Sequence, residues 1–144
     1  MDYEKLKLDE IKKGYHFNQE KKSYVCNYCE RNFQSSHIYP INGEFFEPEQ
    51  AAAKHIEVDH SGQLKLLLHS DTRYNTLTDK QIELLSLYHS GMSEDEIAKN
   101  LGMSVSKVKR QRFLLQEKAK QAKLYLAIYE CAFNNEDTDS LMYK

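Results

Sequence analysis

Between Leu77 and Val108 the chain repeats one local signature three times. An apolar residue precedes a hydroxyl residue, and a second apolar residue follows four positions later: Leu77-Thr78…Ile82, Met92-Ser93…Ile97 and Met103-Ser104…Val108. This is the hydrophobic staple around a helix N-cap, and Gln81 and Glu96 complete the capping box in the first two cases. Each capping hydroxyl satisfies a backbone N–H the helix leaves orphaned, typically worth about 1 kcal/mol. Gly91 and Gly102 stand where left-handed C-terminal caps are wanted. The pattern predicts helices beginning near residues 78, 93 and 104, with the middle one barely two turns long. The third meets no glycine or proline before Phe133, which allows a single helix of about 45 Å.

The first half carries a different constraint. Cys26-x2-Cys29 is followed by His55-x4-His60. Two thiolates and two imidazoles at these spacings suit a tetrahedral zinc ion, so Cys26, Cys29, His55 and His60 are the predicted ligands. Tyr24 and Phe33 flank the cysteine pair as in Cys2His2 fingers. The 25 residues between Cys29 and His55 exceed the usual finger interval. The surplus is accounted for by a hairpin around Asn42-Gly43, a pair favoured in type I′ turns. His37, in that insertion, is a possible substitute ligand. Four protein ligands leave no open position, so the expected role of zinc is structural. The segment His55–His60 differs from a zinc-protease helix in the place of its glutamate and the spacing of its histidines, and no enzyme activity is expected.

The remaining elements follow from local pattern. Residues 1–14 read as a short amphipathic helix ending near Gly14, residues 15–25 as a hairpin leading into Cys26, and the stretch from Pro48 to His60 as a helix with proline in its first turn. The last, together with the hairpins, gives a ββα-like zinc module at 1–69. Residues 70–76 read as a linker, 77–133 as a helical module, and 134–144 as a flexible tail. The expected fold is mainly α with a small β component.

Charge adds a functional direction. The chain has 144 residues and a net charge of −2, yet residues 104–123 hold seven basic side chains against one acid, Glu117. A cationic stripe on a near-neutral protein is the footprint of a polyanion site. The arrangement of two short helices and a basic third, turned by Gly102, is that of a helix-turn-helix. Ala98 would allow close approach, and Ile97, Leu101 and Val108 would share the core. The third helix, about 104–120, would lie in the major groove. Ser104, Ser106, Lys107, Lys109, Arg110 and Arg112 are the predicted DNA-contacting residues. The alternative is a protein-interaction adaptor whose zinc module is the working surface and whose helical region only dimerises.

The segment LTDKQIELLSLYHSGMSEDEIAKNLGMSVSKVK resembles the LuxR-type (GerE-type) DNA-binding domain of bacterial transcription regulators. The matching residues are Leu77-Thr78, Glu83, Leu84-Leu85, Gly91, Ser93, Glu96-Ile97-Ala98, Leu101, Ser104 and Val108-Lys109. They overlap with the pattern of sigma-factor region 4. Gln111 departs from the family's usual histidine, and the absence of a breaker after Arg112 departs from its separate fourth helix. The resemblance implies recognition of inverted repeats by dimers, transcription regulation, and RNA polymerase as a further candidate partner. With the Cys/His segment, the chain resembles bacterial regulators that carry an N-terminal zinc-finger-like module.

Two further expectations concern context. From Leu124 to Phe133 only Glu130 is charged. One side of this stretch is expected to pack on the 78–89 helix through Leu84, Leu85 and Tyr88, with Cys131 as a buried small residue. The remainder, through Leu124, Ile128 and Cys131, is expected to form a homodimer interface, setting two recognition helices about one DNA turn apart. The first ten residues lack an apolar signal core and no apolar run reaches membrane-spanning length, so the expected place is the bacterial cytoplasm, at the nucleoid when DNA-bound, with no membrane partner.

Overall fold

A computed structural model describes residues 1–133; the tail anticipated at 134–144 lies outside the described residues. The chain divides into two compact units, Met1–Thr78 and a second beginning at Asp79. A small antiparallel β component in the first half precedes a helical second half with a long C-terminal helix, as the sequence pattern predicts.

The first unit begins with α1 (Leu8–Lys13), shorter than the sequence indicated. Residues before it form a turn in which Asp2 Oδ1 accepts the N–H groups of Glu4 and Lys5. Gly14 ends α1 in the left-handed region at φ 89°, and a side chain there would run into Gln63. Strands β1 (Tyr15–Asn18), β2 (Ser23–Cys26) and β3 (Asn32–Gln34) form an antiparallel sheet in that order. Tyr15 pairs with Cys26 across β1–β2, and Tyr24 with Phe33 across β2–β3. The second hairpin is β4 (Tyr39–Ile41) and β5 (Glu44–Phe46). Its turn residues Asn42 and Gly43 both have positive φ, 51° and 81°, the geometry of a type I′ turn.

Helix α2 (Pro48–Asp59) carries the module's core-facing side chains. Ala51, Ala52, His55 and Ile56 are its buried residues, and their spacing puts all four on one face. That face packs on the sheet around Phe33, Tyr15 and Cys26, with Tyr39, Ile41 and Phe46 of the second hairpin at the rim. The alanines let α2 lie close to the strands, and the same rotation aims His55 inward.

Residues expected to be a linker hold structure instead. After α3 (Gln63–Leu68), the turn α4 (Thr72–Asn75) is capped by Asp71, whose side chain accepts the Arg73 N–H. The Asn75 amide donates to the carbonyls of Leu68 and Ser70 at 3.2 and 3.3 Å. Asparagine and aspartate side chains replace the missing backbone partners here, which is why a polar stretch folds back rather than running free.

The second unit contains α5 (Asp79–His89), α6 (Glu94–Leu101) and α7 (Val105–Phe133). Ser93 caps α6 by accepting the Glu96 N–H at 3.2 Å, and Ser104 caps α7 by accepting the Lys107 N–H at 3.2 Å. Gly102 holds the intervening turn at φ 64°, and the Ala98 carbonyl accepts the N–H groups of Gly102 and Met103. Leu84, Ile97, Ala98 and Val108 form the buried core, with Leu101, Met103 and Leu115 packed against it. Among the described residues no helix is long and apolar enough to cross a membrane.

Candidate metal centre and basic helix

Cys26 is the last residue of β2, and Cys29 lies in the tight loop that leads on to β3. The Cys26 N–H donates to the Arg31 carbonyl and the Glu30 N–H donates to the Cys26 carbonyl. Glu30 closes this loop in the left-handed region at φ 62°. Helix α2 delivers His55 from its buried face and His60 from its C-cap. The two pairs, far apart in sequence, meet where the sheet and helix close on each other.

The four ligand atoms all lie within 4.8 Å of one another. Cys29 Sγ is 3.1 Å from His55 Nε2, Cys26 Sγ is 3.5 Å from His60 Nε2, and the two Nε2 atoms are 3.2 Å apart. A tetrahedron built from metal–nitrogen bonds of about 2.0–2.1 Å and metal–sulfur bonds of about 2.3 Å has N···N edges of about 3.3 Å and N···S edges of about 3.6 Å. These three separations lie within about 0.5 Å of the tetrahedral edges, so the four side chains are close enough to bind one metal ion. All four predicted ligands are brought together. His37 is exposed and stands apart from them, beside the Tyr39 ring, so it is not a member of the set.

Electrostatics prepare the donors unequally. Burial pushes the Cys26 thiol up, while the amides of Cys29 and Tyr28 act in the opposite direction by favouring the thiolate. Burial also lowers His55 below the usual imidazole range, against the pull of Asp59, and so favours the neutral ring that ligates metal. A divalent cation among the sulfurs reverses the cost of ionising them.

One partner was missed in the sequence. Asp59 Oδ2 lies 2.7 Å from His55 Nδ1, which holds the ring so that Nε2 faces the cluster. Arg31 in turn reaches Asp59 at 3.4 Å. The signal was available: Asp59 is four residues after His55, the spacing at which helical side chains meet. Phe33, fully buried, packs on the other side of His55 with ring centroids 5.5 Å apart.

Family models, curated proteins and solved structures offer no match to this chain. The functional reading accordingly rests on the residues themselves.

On α7, Ser106, Lys107, Lys109 and Arg110 are exposed around the buried Val108. At about 100° per residue, Ser106 and Arg110 lie roughly 160–200° from Val108, and Lys107 and Lys109 flank them. Ser104 is committed to its cap. Arg112 differs from the other cations. Its Nη1 donates to Glu94 Oε1 at 3.0 Å and its guanidinium sits 5.6 Å from the centre of the Tyr88 ring, so it clamps α7 to the preceding helices.

The far end of α7 departs from expectation. Leu84 is buried with Ile97, Ala98 and Val108, and Leu115 is the most C-terminal α7 residue packed against that core. Leu124, Ile128 and Cys131 are exposed, Cys131 included, although it was expected to be buried. The reason is length: α5, with 11 residues, spans about 16 Å, whereas α7, with 29, spans about 43 Å. Its last turns run past anything α5 can cover.

Proposed function

We propose that this chain is a sequence-specific double-stranded DNA-binding regulator of transcription, of the LuxR-type, with a zinc-stabilised N-terminal module. The observation that carries the reading is the short α6–Gly102–α7 pair around Ile97, Ala98 and Val108, which leaves Ser106, Lys107, Lys109 and Arg110 exposed on the far side. A helix held this way can enter a major groove, with Arg110 suited to a guanine edge and the lysines to phosphates. The ion proposed for Cys26, Cys29, His55 and His60 is Zn²⁺, since a thiolate–imidazole set at tetrahedral spacing suits that ion. Its role is structural, because all four positions are filled by protein. Action at the nucleoid of a bacterial cytoplasm, with RNA polymerase as the machinery affected, follows from the same reading.

Selection of bound sequences from random duplexes tests the proposal, followed by titration of Lys109→Ala and Arg110→Ala. Loss of a bidentate base contact costs about 1–3 kcal/mol and relaxes preference at one position. Loss of a phosphate contact weakens all duplexes alike. Unchanged affinity in both folded variants defeats the reading.

One observation favours the adaptor as a second reading. Phe45 on β5 is 77% exposed and Ile38, just before β4, is 61% exposed, apolar surface suited to a protein partner. Duplex selection that returns no enriched sequence, with Phe45→Ser abolishing capture of a defined partner, would favour it.

A further inference from the structure

Phe113 stands in the middle of the basic stretch of α7 with 56% of its surface open to solvent. It belongs neither to the core of its unit nor to the lining of the groove that Leu85, Tyr88, Met92 and Ala119 form between α5 and α7. At about 100° per residue it lies about 140° from the buried Val108, between Lys109 at about 100° and Arg110 at about 200°. Lys109 precedes it by four residues and Arg110 by three, the spacings at which helical side chains are neighbours. An aromatic ring so placed leaves on the order of 100 Å² of apolar surface among two cations and the Ser106 hydroxyl.

A partner that suits this face carries negative charge at its edges and a small apolar group at its centre. The major groove has both: phosphates along its walls and, on its floor, the C5-methyl group of thymine. We propose that Phe113 reads the C5-methyl group of a pyrimidine, and that α7 thereby distinguishes methylated from unmethylated pyrimidines. Thymine carries that methyl in unmodified DNA, and 5-methylcytosine presents it at the same place on the ring. The inference rests on the reading of α7 as a recognition helix and adds to it a preference set by a single carbon.

Position and magnitude both follow from the helix. Phe113 lies about 4.5 Å along the axis from Arg110, against about 3.4 Å per base step, so the methyl it meets is within about two base pairs of the one Arg110 contacts. Burial of one methyl group against the ring is worth about fourfold in affinity. Leu114, 43% exposed, lies at about 240° beside Lys107 at about 260°, toward the groove wall, and is the natural control. Cytosine methylation at the position Phe113 reads strengthens binding, which would tie this regulator to the methylation state of its site.

Fluorescence anisotropy of the full chain on a duplex selected from random sequence decides, with circular dichroism confirming that each variant retains its helices. Each thymine in turn is replaced by deoxyuridine, which removes the methyl and leaves the base pairing unchanged. The wild type is expected to lose about fourfold at one thymine per recognition helix. Phe113→Ala should bind the thymine and uridine duplexes alike. Phe113→Leu should keep part of the preference and Leu114→Ala all of it. With a cytosine–guanine pair at the same position, 5-methylation of the cytosine should strengthen wild-type binding by the same factor and leave Phe113→Ala unmoved. A wild type indifferent to every uridine replacement overturns the proposal. So does full discrimination by Phe113→Ala, or a thymine preference that 5-methylcytosine does not reproduce. In each of those cases, binding that still weakens with Lys109→Ala or Arg110→Ala leaves the DNA reading standing, whereas absence of duplex binding defeats both.

Discussion

Asp59→Asn removes the carboxylate behind a candidate metal ligand while leaving all four ligands in place. Asp59 Oδ2 sits 2.7 Å from His55 Nδ1, and a carboxylate in this position orients the imidazole and raises its basicity. Losing such a group typically lowers metal affinity about 10–100-fold. At saturating metal this appears as about 1.4–2.7 kcal/mol of lost stability, because binding to the folded state is linked to folding. The metal-free protein behaves differently. There the variant loses the Arg31–Asp59 pair, whose side chains are about half exposed, worth about 0–1 kcal/mol. It also relieves an acid at the C-terminal end of α2, where the helix dipole disfavours negative charge by about 0.3–1 kcal/mol. These nearly cancel. Competition against a chromophoric zinc chelator gives the affinity, and urea unfolding with and without metal gives the two stabilities. Equal losses in both forms, or an unchanged affinity, would refute the assignment of Asp59 as the group that orients His55.

Two other predictions follow from side chains already placed. Burial first, and then Glu49, pushes the Tyr15 hydroxyl up to about 12 from its ordinary value of 10. The unfolded chain ionises first as pH rises, so the first unit should lose stability progressively from pH 10 to about 12, and Tyr15→Phe should show a flatter urea midpoint over that range. Arg112→Ala should lower the stability of the second unit by about 1 kcal/mol through loss of the Glu94 pair and the Tyr88 contact. Thermal unfolding checks this, and a duplex-binding loss larger than that of Arg110→Ala would contradict the division of roles between the two arginines.

What could be read from sequence was what is written locally. The caps at Ser93 and Ser104, the turn at Gly102 and the Asn42-Gly43 hairpin each need only a few adjacent residues, and each stands where the pattern places it. The four metal-site residues were legible because their chemistry is rare and their spacing specific. Strand β3 was missed because three residues, Asn32–Gln34, are too few to show alternation, and only pairing with β2 makes them a strand. Within 70–76, Asp71 and Asn75 use side chains to complete a turn that polarity alone does not reveal. Asp59 went unread because a carboxylate four residues from a histidine is common on helix surfaces, and only the inward rotation of His55 gives the pair a meaning. Cys131 and its surroundings were read as buried from their composition, whereas burial depends on how far α5 reaches.

The central claim is that α7 meets the phosphates of duplex DNA, and the salt dependence of binding measures it directly. Lys107, Lys109 and Arg110 are the exposed basic residues around the buried Val108, while Arg112 is held by Glu94. Each neutralised phosphate contributes about −0.9 to the slope of log K against log salt concentration, so with Lys107 and Lys109 on phosphates the account predicts a slope of about −2 per chain on a selected duplex. Fluorescence anisotropy from 50 to 200 mM salt gives that slope, and Lys109→Ala should reduce its magnitude by about one. Binding that is independent of salt, or a slope untouched by Lys107→Ala, Lys109→Ala and Arg110→Ala alike, would contradict the account.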